Sequence, residues 1–183
     1  MQKITHQQLL DWLKKEVKLS LGCTEPIAIA YAAAVAAKYL NAPVLKITGN
    51  ISENLYKNAM GVTIPGTSYC GVTLAAAIGA IGGNADADLE VLKDITATQI
   101  TEAYIFNESG NVCLNAVDAT DFIFIDITLY SLSDQCRVVI QGSHTNVTEV
   151  YINNIKQILV RDLIAANDSG VLPEFSLNDA FKF

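Results

Sequence analysis

Residues 21–34, LGCTEPIAIAYAAA, set a cysteine, a threonine, a glutamate and a proline directly ahead of a run rich in alanine. Alanine is the strongest helix former, and proline is favoured at the first helical position, where its missing N–H has no partner to lose. The stretch therefore predicts a helix that starts at Pro26 and runs to Tyr39 or Leu40, where Asn41, Ala42 and Pro43 break it. With Glu25 or Thr24 as the cap, Cys23 lies one or two residues ahead of the helix, where free N–H groups and the positive end of the helix dipole converge. Such a position lowers the pKa of a thiol and favours the thiolate, the nucleophilic and metal-binding form. Glu25 opposes this by adding negative charge. The ordinary alternative is a buried small hydrophobe, because free cysteine is among the most buried residue types. Spacing alone does not separate a nucleophile from a metal ligand.

Working outward, THQQLLDWLKKEVK opens with Thr5 and carries Gln8 three residues on, a capping box. Leu9, Leu10, Trp12, Leu13 and Val17 follow at helical spacing. VLKITGNIS alternates and is β-branched, so it reads as a strand. ENLYKNAM is a short helix or turn, VTIPGTS a loop, and GVTLAAAIGAIGG a small-residue helix stopped by Gly82 and Gly83. A second capping box, Thr96 with Gln99, opens a helix that ends at Gly110. The character then changes. NVCLNAVD, DFIFIDITLYSL, QCRVVIQG and VTEVYI are β-rich, LSDQ reads as a hairpin loop, and Asn153–Asn154 as a two-residue turn. IKQILVRDLIAA fits a helix or a returning strand, and LPEFSLNDAFKF ends on the start of a capped helix. The expectation is an α+β fold: a helical N-terminal part (1–109) packed with a mainly antiparallel sheet from the second half (110–160), a tail (161–183), and a single compact domain over 1–183.

Hydrophobic residues make up 51% of the 183 and charged residues 17%, which excludes disorder and allows a sizeable core. A net charge of −7 with no basic stripe argues against nucleic acid and anionic membrane as partners. The first apolar residues are interrupted by Gln, Thr, His and Lys, so no signal peptide is expected. Ile27–Ala37, the longest apolar run, falls short of the ~20 residues of a membrane span. Cys23, Cys70, Cys113 and Cys136 are spread without CxxC spacing, which suits reduced thiols of a cytoplasmic protein rather than a disulfide framework.

Two further stretches carry chemistry. In SENLYKNAMGVTIPGT, Lys57 and Asn58 offer a cation and an amide to an amino-acid carboxylate, and Pro65-Gly66-Thr67 form a tight loop bordering that site. The ordinary reading is a solvated helix face followed by a turn. In GSHTNV, His144 is one of two histidines and is suited to proton transfer near neutral pH. A turn residue between strands is the plainer alternative. His6 falls in the first turn of the first helix and reads as solvated. None of the glycines completes a phosphate-binding loop.

LGCTEPIAIAYAAA, SENLYKNAMGVTIPGT, AAAIGAIGGNADADLEVLKDIT and SHTNV, in that order through most of residues 10–150, resemble the N-terminal half of the L-cysteine desulfidase / L-serine dehydratase alpha-chain-like family. The resemblance implies an oxygen-sensitive 4Fe-4S enzyme without pyridoxal phosphate. Cys23 would match the first of its three cluster cysteines, with one iron left open as a Lewis acid toward substrate. The products would be pyruvate and ammonia, with sulfide from L-cysteine or water from L-serine. It further implies substrate-binding roles for Asn58 and Thr67, and leaves Lys57, His144 and Glu25 as alternatives for the catalytic base. The other two cluster cysteines of that family lie in a C-terminal half, and Cys70, Cys113 and Cys136 match neither. The expectation is therefore a lyase whose cluster is absent from this chain alone and completed by a missing C-terminal half or partner chain, with a homo-oligomer also open. Two other classes compete. One is a non-catalytic remnant serving amino-acid binding or dimerisation. The other is a pyridoxal-dependent lyase on Lys57 or Lys46, disfavoured because no phosphate cup is evident.

Overall fold

The computed structural model describes residues 5–17 and 19–157. The chain divides into two compact units: residues 20–159 form one, and α1 (His6–Glu16) belongs to the other. Both halves of the α1 capping box are made. Gln8 N–H donates to Thr5 Oγ1 at 3.3 Å, and Thr5 N–H donates to Gln8 Oε1 at 2.8 Å. The expected tail helix lies outside the described residues.

Residues 20–159 run α2 (Thr24–Leu40), β1 (Lys46–Ser52), α3 (Glu53–Met60), α4 (Val72–Gly82), a 3-10 segment (Ala85–Glu90), α5 (Ala97–Glu108), β2 (Val112–Val117), β3 (Phe124–Tyr130), β4 (Gln135–Gln141), β5 (Val147–Ile152) and β6 (Ile155–Lys156). The fold is α+β. The six described strands form one sheet in the order β2-β1-β3-β4-β5-β6, antiparallel except for the β1–β2 pair. The sheet is thus not drawn from the second half alone. β1 comes from the helical half and lies between β2 and β3. Parallel strands need a long crossover, and α3, α4 and α5 supply it. Asn153 and Asn154 both take positive φ, 49° and 66°, and turn the chain from β5 into β6. The start of the ambiguous segment, Ile155–Lys156, is therefore strand.

One face of the sheet is apolar. Ile47, Ile51, Leu114, Ile125, Ile127, Leu129, Cys136, Val138, Ile140 and Val150 alternate inward and are buried. The opposite face is polar, with Arg137 making two 2.8 Å bonds to Asp126 across β3–β4. α2 packs on the apolar face over β3, β4 and β5, and α4 packs on α2. From Ile27 to Ala36 every α2 residue is buried. Full burial of Ile27 and Ile29 contributes about 1.5–3 kcal/mol each. Asn41, in the left-handed conformation at φ 48°, ends the helix.

α2 begins two residues earlier than its sequence predicts. Cys23 is itself the N-cap, and Pro26 is the third helical residue. The N–H groups of the first turn have no intrahelical partner, so proline fits any of these positions. α2 and α4 approach closely because Gly79 has no side chain: a Cβ there would lie 2.1 Å from the Ala30 carbonyl oxygen. One turn on, a Cβ at Gly83 would lie 2.8 Å from Ala34 Cβ.

All four cysteines are free thiols. No described helix is long and apolar enough to cross a membrane.

Gly79→Ala is expected to destabilise the fold by about 1–3 kcal/mol through overpacking, despite alanine's better helix propensity. Gly61→Ala, where a Cβ meets nothing within 4 Å, serves as the control and should stay within about 0.5 kcal/mol. Urea unfolding of the two variants reads the difference. Equal stabilities would contradict the close helix crossing.

Candidate functional site

The buried α2 carries its N-terminus to the end of the sheet where β1 runs into α3 and where β4 turns into β5. Three segments meet there. Cys23 and Glu25 come from the α2 tip, Asn58 from α3, and His144 from the 142–146 loop. Glu25 is the hub. Its Oε2 accepts the Cys23 thiol at 2.9 Å and the Thr24 hydroxyl at 3.4 Å, and its Oε1 accepts the Asn58 amide at 3.4 Å. His144 is half-buried and close enough for its charge to act on Glu25. Its loop is fixed on both sides: Gly142 N–H donates to Ile123 O at 3.0 Å, and Asn146 Nδ2 donates to Gln141 O at 2.7 Å. The loop bearing Pro65 closes on the backbone just ahead of the thiol, since a Cβ at Gly22 would lie 3.1 Å from Pro65 Cγ.

The electrostatics reverse the expectation for Cys23. The backbone N–H groups of Glu25 and Thr24 do pull the thiol pKa down, as a helix tip should. Burial, the bond to Glu25 and the charge of Glu25 push it up and win, so the resting state is a thiol donating to a carboxylate. The same bond, helped by Asn58 and His144, holds Glu25 below the usual carboxylate range against the opposing effect of burial. Burial lowers the His144 pKa, and the Glu25 charge only partly offsets this, so the imidazole is neutral at neutral pH. Stability follows these signs. The Glu25 contribution is present above its ordinary pKa of 4.5 and is lost as pH falls. The Cys23 contribution is present below its ordinary 9.0 and is lost as pH rises through its elevated value. His144, neutral in the fold, disfavours the folded state as pH drops below its ordinary 6.5.

The remaining sequence-predicted residues sit differently. Lys57 is exposed on α3, and among the described residues no hydrogen bond or ion pair ties it to the other four. Thr67 bonds within its own loop, donating to Ile64 O at 2.9 Å and accepting Tyr69 N–H at 3.0 Å. It lines an open cleft of about 500 Å³ between that loop and the first turn of α5. Thr24 and Gly22 belong to the site and escape sequence reading, because their roles depend on Glu25 and Pro65 facing them in space.

A cluster held by three cysteines does not fit the described residues. Cys136 is sealed in the sheet, where burial pushes its pKa up to about 12. Cys113 is exposed on β2, and Cys70 is exposed in the bridge opposite Thr63. Among the described residues no group of three or more His, Cys, Asp or Glu is arranged to hold a metal ion. Cys23 alone stands in a polar site.

Comparison with known proteins places the chain beside a set of long bacterial relatives. It is 51% identical over 174 residues to a UPF0597 protein of Klebsiella pneumoniae subsp. pneumoniae, covering 95% of this chain and 41% of the relative. The chain is similar to UPF0597 proteins. Another, from Photobacterium profundum, is 44% identical over 146 residues, covering 80% of this chain and 34% of the relative. A third, from Actinobacillus pleuropneumoniae serotype 3, is 38% identical over 180 residues, covering 97% and 41%. The chain thus spans about two fifths of the length of these curated relatives or somewhat less. No family model matches the chain, and no solved structure matches it. These matches correct the resemblance drawn from the motifs: relatives aligned over most of the chain carry the UPF0597 name, not that of the L-cysteine desulfidase / L-serine dehydratase alpha-chain-like family. The names of these relatives state no reaction and no ligand.

Site-resolved alkylation tests the geometry. At mildly alkaline pH, iodoacetamide should label Cys23 more slowly than the exposed Cys70 and Cys113, and Cys136 last. Glu25→Gln removes the charge that suppresses the thiolate and should speed Cys23 labelling several-fold in peptide mass spectra. An unchanged rate would contradict the thiol–carboxylate pair.

Proposed function

We propose that the Cys23–Glu25–Asn58–His144 site is part of a lyase centre that eliminates sulfide from L-cysteine, or water from L-serine, to give pyruvate and ammonia. The observation that carries this reading is the meeting of an ionised carboxylate, a neutral imidazole, an amide and a thiol at the tip of one buried helix. Elimination needs a base for the Cα proton, a proton for the departing group, and polar anchors for the amino acid. Neutral His144 has the basicity for proton transfer near pH 7, whereas Glu25 is a weaker base held ionised. In the proposed reaction the base takes the Cα proton and the freed electron pair forms the Cα–Cβ double bond. The Cβ–S or Cβ–O bond breaks with its pair on the leaving atom. The 2-aminoacrylate tautomerises to an imine, which water hydrolyses to pyruvate and ammonia. Lys57, exposed one residue before Asn58, is assigned to the substrate carboxylate.

The cofactor in this proposal is a 4Fe-4S cluster with Cys23 as one thiolate ligand. The other ligands are assigned to sequence that the longer relatives carry beyond the matched stretch, and no step is derived through the cluster. A cluster of this kind and four free thiols suit the reducing cytoplasm. A second reading, an amino-acid-binding or dimerisation module without catalysis, draws on the single candidate ligand among the described residues.

Anaerobic reconstitution with iron and sulfide separates the two. Mixed with the unmatched remainder of the Klebsiella relative as a second polypeptide, the chain should turn brown and release pyruvate from L-cysteine or L-serine, and Cys23→Ala should lose both colour and product. Cluster content unchanged in Cys23→Ala would overturn the ligand assignment. A formed cluster without pyruvate would favour the binding module.

A further inference from the structure

We propose that the free edge of β2 pairs antiparallel with β2 of a second copy of this chain, joining two six-stranded sheets across a two-fold axis at Leu114. This interface is independent of the lyase reading.

Among the described strands β2 ends the sheet and pairs with β1 alone. Ile47 lies beside Val112 in that parallel pair, and its N–H donates to Asn111 O at 2.9 Å. Successive residues of a strand turn their backbone polar groups to alternate sides. Asn111, Cys113, Asn115 and Val117 therefore turn toward β1, and Val112, Leu114 and Ala116 turn their N–H and C=O groups away from it. Among the described residues no backbone group outside the β1–β2 ladder bonds to Val112, Leu114 or Ala116. Proteins protect such free rows with short strands, lysines, prolines or bulges. The opposite edge is protected in this way. β6 is two residues long, its Lys156 reaches Glu149 Oε1 at 3.3 Å, and the β4–β5 register is irregular at Val139/Ile140. β2 has no such device. Its six residues, VCLNAV, include no charge and no proline, and they keep register with β1 from Val112 to Val117 without a break.

A two-fold axis at Leu114 makes this edge its own complement. The outward residues of one copy then face those of the other, Leu114 opposite Leu114 and Val112 opposite Ala116, with about two main-chain bonds per pair. Val112 is half-buried and Ala116 exposed, so the pairing also covers apolar surface beside Leu114. Charge favours the antiparallel arrangement. The chain is acidic, with a net charge of −7, yet nothing charged lies in the paired stretch. Asp118, just past β2, falls opposite Gly110 of the second copy. A parallel arrangement in register would instead set the two Asp118 carboxylates side by side, and like charges directly opposite are destabilising.

Sedimentation equilibrium of the 183-residue chain under reducing conditions tests the pairing. With rising concentration the wild type should reach twice the mass of one chain. Ala116→Pro removes an outward donor, and an edge strand tolerates it, because the β1 ladder uses the N–H groups of Cys113, Asn115 and Val117. It should weaken the dimer at least about tenfold. Cross-linking gives a second readout that does not depend on the stability of Ala116→Pro. In the proposed register, residue 115 of one copy faces Cys113 of the other as a non-hydrogen-bonded pair, with Cα atoms about 4.5 Å apart and within disulfide range. Asn115→Cys should therefore give a disulfide-linked dimer on copper–phenanthroline oxidation, well above the wild-type level, and adding Cys113→Ala should remove most of that gain. A wild type that stays monomeric, an Ala116→Pro dimer as tight as the wild type, or no gain in linked dimer from Asn115→Cys would overturn the proposal. So would an edge that pairs only after the unmatched remainder of the Klebsiella relative is added, since the chain by itself would then stay monomeric.

Discussion

The approach of α4 to α2 at Gly79 and Ala30 is the constraint on which the rest of residues 20–159 depends. With no side chain at Gly79, the two helices meet backbone to backbone, and α2 sinks fully between α4 and the sheet. A helix buried from Pro26 to Ala36 cannot shift without moving the strands beneath it. Its N-terminus is therefore a fixed point, and Cys23 and Glu25 are placed by the core rather than by a flexible loop. α3 and the β4–β5 loop bring Asn58 and His144 to the same point from the two sides of the sheet end.

What happens at that point is a contest between two effects of familiar size. Exposed backbone amides at a helix tip favour a thiolate. A carboxylate two residues away, in a partly desolvated setting, favours the thiol. The thiol prevails because burial disfavours the thiolate and because Glu25 accepts the thiol proton directly and carries a full charge. The outcome also keeps Glu25 ionised, so the site holds its negative charge on oxygen rather than sulfur. Arrival of a metal or an electrophile at Cys23 would have to displace that proton, and Glu25 already stands as its acceptor.

Much of the fold was legible because its signals are local. Thr5 with Gln8 and Thr96 with Gln99 mark helix starts through side chains three residues apart, and both boxes form. Asn153–Asn154 tolerates the positive φ that its turn demands. The alternation of β3 is visible residue by residue in its burial. What was hidden depends on contacts between distant segments. Nothing in VLKITGNIS says that it will lie between β2 and β3, parallel to one and antiparallel to the other. Pro26 suggested a start two residues late, because the whole first turn tolerates proline. The charge at Glu25 was visible, but not the Asn58 amide 33 positions away that helps to hold it. The motif resemblance gave way because four short stretches weigh less than an alignment over 95% of the chain to a UPF0597 protein.

The most direct measurement of the central claim, that the α2 tip and the β4–β5 loop form one electrostatic site, is the NMR titration of His144. The chain has two histidines, so His6→Gln leaves a single imidazole to follow. In that background His144 should titrate below the usual histidine range, and adding Glu25→Gln should lower its midpoint further, because among the described residues the ionised carboxylate is the influence that raises it. An ordinary midpoint that does not respond to Glu25 would contradict the account.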